Sequence, residues 1–560
     1  MTEMTNPGSV NPANRIRRRD FMKLAAEGLA VGGSIGAGGQ APSSDGNRRV
    51  RGVARGRKPN ILFIMTDQQR ADTIAAMGNP HICTPNFDRL VARGVAFTNA
   101  YSTCPVCVPA RYTIRTGCEP PTTTIYENAP QSPVAGQTET MEGRCGTYLP
   151  RTLARLGYRT FGIGKFHTNP WDEDLGYEVQ MHSEELYGSP DQRSRDAYAA
   201  FIEREHPEYD FIEMLMGERT EMYYMPQMSP LPASLGVEAW AADRAIEQIK
   251  ARDGRPFFGF VSFIGPHPPF APPQPFNRMY DPDRMPNPIR GDAAVDHMDE
   301  QITWMNYAIW AEDINDPHAR VLKARYYGEI SYIDHCLGRI LDAVEARDDA
   351  ANTLICFFSD HGDHLGDHCA WQKESFFDAS CHIPFLLSWP ECLAGGTRHD
   401  ALVCLTDLFG IATKAAGGPD FREGIDVLGV VEGSARPRKH LIGRYGTPGT
   451  PRFKVMVRER DWKYIYMANG GREQLFNVTE DPMELHETCR AEPRLAERLR
   501  KIAAKSMKLP NADRALDETG DLKRFDFAAR PRERIHQFDR SRGVTGFPQR
   551  PKDVLNTPSG

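Results

Sequence analysis

Asn60-Ile61-Leu62-Phe63-Ile64-Met65-Thr66 runs directly into Asp67-Gln68. Seven residues without a charge, closed by an acid and an amide, read as a strand buried on both faces that stops at a polar edge. The pattern recurs. Tyr158 to Gly164 (YRTFGIG) ends at Lys165 and His167, Phe257 to Ile264 (FFGFVSFI) at Pro266-His267-Pro268, and Thr353 to Ser359 (TLICFFS) at Asp360-His361. Such runs belong in a mostly parallel sheet covered on both faces, and those sheets collect ligands at the C-terminal ends of their strands. Four runs that each deliver carboxylate, ammonium or imidazole groups at that end predict a shared site. Helical patterns at Asn86 to Arg93, Tyr148 to Leu156, Gly236 to Ala251 and Val321 to Ala346 lie between them, and the alternation argues α/β.

A second stretch, Cys107-Val108-Pro109-Ala110-Arg111-Tyr112-Thr113-Ile114-Arg115-Thr116-Gly117, carries chemistry. Pro is tolerated in a first helical turn, where its missing N–H would be unpaired in any case. Residue 107 is then expected at a helix N-terminus, where unpaired N–H groups and the helix dipole favour an anion. Arg111, one turn on, points back toward the same spot. Cys104 adds a C-x-x-C spacing with Cys107, which by itself fits a thiol redox pair or half of a zinc site. Only Cys107 has Pro at +2 and Arg at +4, and no second C-x-x-C completes a four-thiol zinc site.

The stretch C-x-P-x-R followed after four residues by Thr-Gly resembles the signature of the sulfatases. The resemblance covers about residues 58 to 490. It implies a large mixed, mostly parallel sheet flanked by helices, of the alkaline-phosphatase-like kind, with a smaller C-terminal α+β domain carrying an antiparallel sheet. It implies hydrolysis of aryl, alkyl or carbohydrate sulfate esters, with release of sulfate. In that family a maturation enzyme oxidises the Cys to formylglycine, and the hydrated aldehyde is the nucleophile. Carried over, Asp67, Gln68, Asp360 and His361 match the metal ligands. Arg111 holds the formylglycine at 107. Lys165 and His167 match G-K-x-H, His267 the His of the middle strand end, and Lys373 the Lys after Gly366-Asp367-His368. The implied chemistry has Lys165, Lys373 and the metal neutralising the sulfate, His267 protonating the leaving alcohol and His167 deprotonating the second hydroxyl. His364 and His368 are read as turn or pocket residues.

Gln68 is a departure, since many sulfatases have a second Asp there; an amide oxygen still binds a hard cation. The Asp-Gln and Asp-His pairs are similar to those of choline and polysaccharide sulfatases and of phosphonate monoesterases. One divalent metal is expected, Ca²⁺ first, with Mg²⁺ or Mn²⁺ as alternatives. The alternative activity is hydrolysis of phosphonate monoesters or phosphodiesters with the same nucleophile. A more distant alternative is a non-catalytic protein that binds sulfated glycans.

The chain has 560 residues, 40% hydrophobic and 25% charged, with 68 basic against 74 acidic residues and a net charge of −6. That composition supports a large core and a second domain, and the lack of a long basic run argues against nucleic acid as a partner. The twelve cysteines show no framework spacing, and most are expected to be reduced core residues. Arg18-Arg19-Asp20-Phe21-Met22-Lys23 resembles the twin-arginine export motif, and the Gly- and Ala-rich stretch Leu24 to Gly39 is too short for a membrane span. The expected layout is a twin-arginine signal peptide at 1–41, a linker at 42–57, a catalytic domain at 58–435, a C-terminal subdomain at 436–510 and an extended tail at 511–560. Trp462 to Met467, a turn at Asn469-Gly470-Gly471 and Gln474 to Phe476 read as a hairpin of the subdomain. Residues 271–320, rich in Pro, Asp and Met, read as an insertion over the site. Expected partners are a sulfated small molecule or glycan, the maturation enzyme, the twin-arginine export machinery and, through the tail, a second copy of the chain. The expected location is the periplasm or the exterior.

Overall fold

Asn60–Thr66 (β1) is buried at every position, as its uninterrupted apolar run requires. It is the centre of an eight-stranded sheet in a computed structural model that describes residues 57–128, 140–184, 190–209, 224–296 and 298–531. The other strands are Val95–Tyr101 (β2), Arg159–Gly164 (β3), Val179–His182 (β4), Phe257–Ser262 (β5), Thr353–Ser359 (β6), Phe385–Ser388 (β7) and Thr397–Cys404 (β8). Their order is β4-β3-β5-β1-β6-β7-β2-β8, and β7 alone pairs antiparallel with both neighbours. The sheet is therefore mixed and mostly parallel. The expected strands at 60–66 and 353–359 match residue for residue, and those at 158–164 and 257–264 lose one and two terminal residues.

The register decides where the site forms. Thr66 pairs with Ser359 across β1 and β6, Met65 with Ser262 across β1 and β5, and Gly164 with Ser262 across β3 and β5. Asp67, Lys165 and Asp360 thus leave the sheet at one level. Gly164 has φ of +107°, and a Cβ there would lie 2.0 Å from the Ser262 carbonyl oxygen, so only glycine lets β3 run this close to β5 before Lys165.

Helices Pro85–Arg93, Leu149–Arg155, Val237–Lys250 and Asp316–Glu345 correspond to the four helical patterns. The last begins five residues earlier than its periodicity suggests, because Asn315 caps it by accepting the His318 N–H. Phe63, Phe258, Phe358 and Phe385 pack in the main core with Leu149, Leu153 and Leu408. Residues 271–320 form short helices at Phe276–Arg278, Pro282–Arg284, Ala293–Asp296 and Glu300–Ala308. They clamp the loop that carries Lys373: Asp367 Oδ1 accepts the Ile289 N–H at 2.8 Å, His368 Nδ1 lies 2.9 Å from Asp296 Oδ1, and Asn306 Nδ2 donates to the Cys369 carbonyl at 2.6 Å.

Leu441–Tyr445 (β9), Lys454–Glu459 (β10), Trp462–Met467 (β11) and Arg472–Asn477 (β12) form a separate antiparallel meander. Alternation divides its faces. Val455, Val457 and Tyr464 pack on Leu499 and Ala503 of the helix Pro493–Ser506, while Met456, Ile465 and Phe476 pack on Phe376, Phe377 and Tyr101 beside the large sheet. The described part of the tail folds back on its own chain. Ala528 and Asn469 exchange two hydrogen bonds, and the Arg530 guanidinium lies 3.3 Å from the Trp304 ring centre. The export motif, nearly all of the linker, and tail residues 532–560 lie outside the described residues. No helix among the described residues is long and apolar enough to cross a membrane. Most of the twelve cysteines are buried, as expected.

Candidate active site

Cys107 opens the helix Cys107–Thr116, with Val106 extended before it and Gly117 closing it in the left-handed conformation at φ +69°. Pro109 falls in the first turn, where no intrahelical donor is needed. The N-terminus of this helix lies against the C-terminal edge of the sheet. Cys107 Sγ is 3.2 Å from His361 Nε2, 3.1 Å from Lys373 Nζ and 3.8 Å from Asp67 Oδ1. Burial and Asp67 act to raise the pKa of this thiol, but Lys373, Lys165 and His361 outweigh them and hold it well below the ordinary value. Cys104 differs sharply. Its Sγ faces the Tyr126 carbonyl at 3.5 Å, and burial with Glu119 nearby pushes its thiol far up. The two cysteines thus stand in opposite electrostatic surroundings.

Asp67 is the hub. Its Oδ2 accepts from Lys165 Nζ at 2.7 Å and from Arg111 Nη2 at 2.8 Å. Burial alone would raise its pKa, yet Lys165, His267, Arg111 and Lys373 hold the carboxyl well below its usual range. The resemblance gives Arg111 to residue 107; the structure shows its guanidinium bound to the acids beneath that residue. Nη1 donates to Ser262 Oγ at 3.0 Å and to the Lys165 carbonyl, and Nε lies 3.3 Å from Asp360 Oδ2.

Asp360 accepts the Gln68 and His361 N–H groups on Oδ1 at 3.0 and 2.9 Å. Its buried Oδ2 completes no hydrogen bond, and burial together with Asp67 pushes its pKa up to about 6. His361 Nδ1 lies 3.0 Å from the Gly362 carbonyl, so Nδ1 carries the proton and the Nε2 lone pair faces the site. Ligating atoms of Asp67, Cys107, Asp360 and His361 all lie within 4.8 Å of one another. Two mutually repelling buried carboxylates, an orphaned oxygen and an imidazole lone pair fit a divalent cation of the hard or borderline kind. Gln68 Oε1 accepts from Lys373 Nζ at 2.7 Å, at the same centre.

Both other histidines lie at strand ends. His267 is buried, and its Nδ1 is held on the Pro268 carbonyl at 2.7 Å, so that Nδ1 carries a proton. His167 follows Lys165 with φ of +51°, and its backbone N–H and that of Phe166 donate to Glu184 Oε1 at 3.0 and 2.7 Å. The His167 Nδ1 atom is buried without a hydrogen-bond partner, a state that a bound group would relieve. His364 and His368 are turn residues here: His364 Nε2 contacts Ser375 Oγ at 2.7 Å and His368 stacks on Phe377 at 4.0 Å.

Sequence reasoning does not find Ser262, Glu184, Tyr224, Gln372 or Asp363. Of these, Asp363 stands in view within Ser359-Asp360-His361-Gly362-Asp363. Tyr224 and Glu184 lie far from every motif and carry no signal.

A mostly parallel α/β sheet whose edge gathers an acid pair, two lysines, imidazoles and a low-pKa cysteine at a helix N-terminus is that of a metal-dependent hydrolase acting on anionic esters. A family model described as Sulfatase matches residues 59–418. The chain belongs to the sulfatase family, hydrolases of sulfuric esters that generally use a divalent metal and formylglycine. It is 28% identical over 468 residues to an arylsulfatase of Clostridium perfringens, covering 80% of this chain and 94% of that enzyme. It is 28% identical over 449 residues to a choline-sulfatase of Rhizobium meliloti, covering 76% and 82%. Its fold is shared with the crystal structure of a phosphonate monoester hydrolase of Agrobacterium radiobacter, at a TM-score of 0.67 and 24% identity over 84% of this chain and all of that one.

Proposed function

We propose that this chain cleaves sulfate monoesters of small-molecule or carbohydrate alcohols, with residue 107 as nucleophile after a maturation enzyme has oxidised its thiol to formylglycine. One divalent cation, Ca²⁺ first, is assigned to Asp67, Gln68, Asp360 and His361. The observation that carries the reading is the position of Cys107 Sγ, at a helix N-terminus and within 3.8 Å of Asp67, His361 and Lys373. Formylglycine, as its hydrate, supplies one hydroxyl to attack sulfur and a second for release of sulfate. The cation supplies polarisation of the sulfuryl oxygens.

The chain's own residues do the rest. Lys373, 3.1 Å from Sγ, puts a fixed ammonium where the anionic ester must approach. Lys165 and Arg111 cancel charge on Asp67 and Asp360 and so lower the repulsion an incoming sulfate meets. His267, oriented through its Nδ1–H, gives a proton from Nε2 to the departing alcohol oxygen. His167 takes the proton of the second hydroxyl.

The test is a turnover screen on formylglycine-bearing enzyme with aryl sulfates, choline sulfate, sulfated sugars and phosphonate monoesters. Sulfate esters are expected to lead in kcat/KM. A phosphonate ester leading instead would overturn the sulfate reading, and no turnover of any would favour glycan binding alone. Within the screen, His267→Ala should slow an alkyl sulfate by ~10²–10⁴-fold and an activated aryl sulfate far less, because a good leaving group needs no proton. Equal slowing of both, with chemistry rate-limiting, would move the acid role elsewhere.

We also propose export through the twin-arginine route to the periplasm or exterior, on the strength of Arg18-Arg19 and the weakly apolar stretch after them. Lysine at both positions should hold the enzyme in the cytoplasm, as read by cell fractionation; unchanged export would refute it.

A further inference from the structure

Gln68 is the only carboxamide among the four residues assigned to the cation, and a carboxamide binds a cation only through its oxygen. Oxygen and nitrogen of an amide are nearly equal in shape, so its neighbours must decide which faces the site. On one side stands Lys373 Nζ, a donor only, 2.7 Å from Gln68 Oε1. On the other stands Asp363 Oδ2, an acceptor only, which receives the Gln68 Nε2–H. Asp363 is itself fixed. Its Oδ1 accepts the Leu365 N–H at 2.7 Å, and its Oδ2 accepts the Tyr224 hydroxyl at 2.6 Å. The Tyr224 oxygen in turn accepts the Gln372 N–H at 2.9 Å, one residue before Lys373. All of these side chains are buried.

We infer that Asp363, braced by Tyr224, is a positioning residue that turns the Gln68 carboxamide oxygen toward the cation and places a carboxylate charge one hydrogen bond behind the neutral amide. The inference rests on the assignment of the cation to Asp67, Gln68, Asp360 and His361.

Substitution separates this role from a count of charges. In Asp363→Asn the Leu365 N–H still demands an oxygen, so the new NH₂ takes the place of Oδ2 and faces the Gln68 NH₂. Two donors cannot pair. The Gln68 amide then either keeps that clash or turns over, which presents NH₂ to the cation and to Lys373, itself a donor; both arrangements weaken the hold on the cation. In Gln68→Glu two carboxylates oppose each other across the contact with Asp363, and the alignment is lost although the centre gains a negative charge. In the double variant Gln68→Glu/Asp363→Asn, the new amide at position 363 donates to one oxygen of the new carboxylate at position 68. The other oxygen is left for Lys373 and the cation.

The experiment is equilibrium dialysis of the full chain against Ca²⁺, and separately Mn²⁺, with bound metal counted by plasma mass spectrometry and no turnover involved. Asp363→Asn should bind about 10–100-fold more weakly, the usual loss when the partner of a metal ligand is removed. Gln68→Glu should also bind more weakly. The double variant should recover most of the loss, a coupling well beyond additivity. Wild-type affinity in Asp363→Asn, tighter binding in Gln68→Glu, or a double variant that loses the product of both single losses would each overturn the inference. Circular dichroism of the metal-free proteins reads folding. If Asp363→Asn does not fold, Gln68→Glu and the double variant carry the test. Asp360→Ala in the same dialysis keeps the two ideas apart: full metal content there overturns the cation site itself, whereas its loss beside an unchanged Asp363→Asn overturns only the positioning role.

Discussion

Cys107→Ala is expected to lower kcat by about 10⁶-fold, the loss seen when a covalent nucleophile is removed, while Cys104→Ala keeps most of the wild-type rate. The difference follows from surroundings. Cys107 lies among Lys373, His361 and Asp67, whereas the thiol of Cys104 faces the carbonyl of Tyr126. The loss should be in kcat, because Lys373, Lys165 and Arg111 are left intact to attract the anionic ester. Mass spectrometry of the peptide spanning both cysteines gives an independent reading: in protein made with a maturation enzyme, the aldehyde belongs at 107 alone. Active protein carrying an unmodified thiol at 107 would end the formylglycine reading, and a Cys107→Ala variant with substantial turnover would end the assignment of the nucleophile.

Asp360→Ala should remove metal and rate together. Its Oδ2 is the buried oxygen without a hydrogen bond, and its Oδ1 anchors the backbone of both Gln68 and His361. Truncation deletes one assigned ligand and loosens two others. It also leaves Arg111 short of one of its two acidic partners. Loss of the several kcal/mol that a cation contributes to charge stabilisation corresponds to roughly 10³-fold in rate or more. Metal content after dialysis and kcat on one sulfate ester should fall in parallel. Full metal content with full rate would place the cation elsewhere. Full metal content with a collapsed rate would likewise place the cation elsewhere, and would leave Arg111, without its Asp360 partner, as the cause of the lost rate.

The residues brought together at the sheet edge are legible because the signals for them are local. A continuous apolar run such as Asn60 to Thr66 can only be buried on both faces, and the first polar residue after it marks where the strand meets an opening. Asp67, Lys165, His267 and Asp360 emerge this way, each from its own strand. Cys107 and Arg111 come from a single turn of helix. β2 and β7 escape notice because Val95–Tyr101 mixes Thr and Asn into its apolar run and Phe385–Ser388 is only four residues long. The Arg and Pro content of the tail suggests an extended segment. Its described part packs on Asn469 and Trp304, contacts about 60 and more than 200 residues away in sequence.

The sequence by itself determined the class of fold and the strand ends that gather at the sheet edge, since each of these follows from composition over a few adjacent residues, and its resemblance to the sulfatase signature singled out Cys107 as the proposed nucleophile. Only the tertiary structure decided how those groups meet. The pairing of Thr66 with Ser359 and of Gly164 with Ser262 sets Asp67, Asp360 and Lys165 at one height. The target of Arg111, the acids beneath residue 107, depends on that height. The direction of the Gln68 amide depends on Lys373 and Asp363, about 300 residues further along the chain. Hydrogen-bond polarity is a property of neighbours in space, and no local pattern records which acceptor will stand behind a given donor.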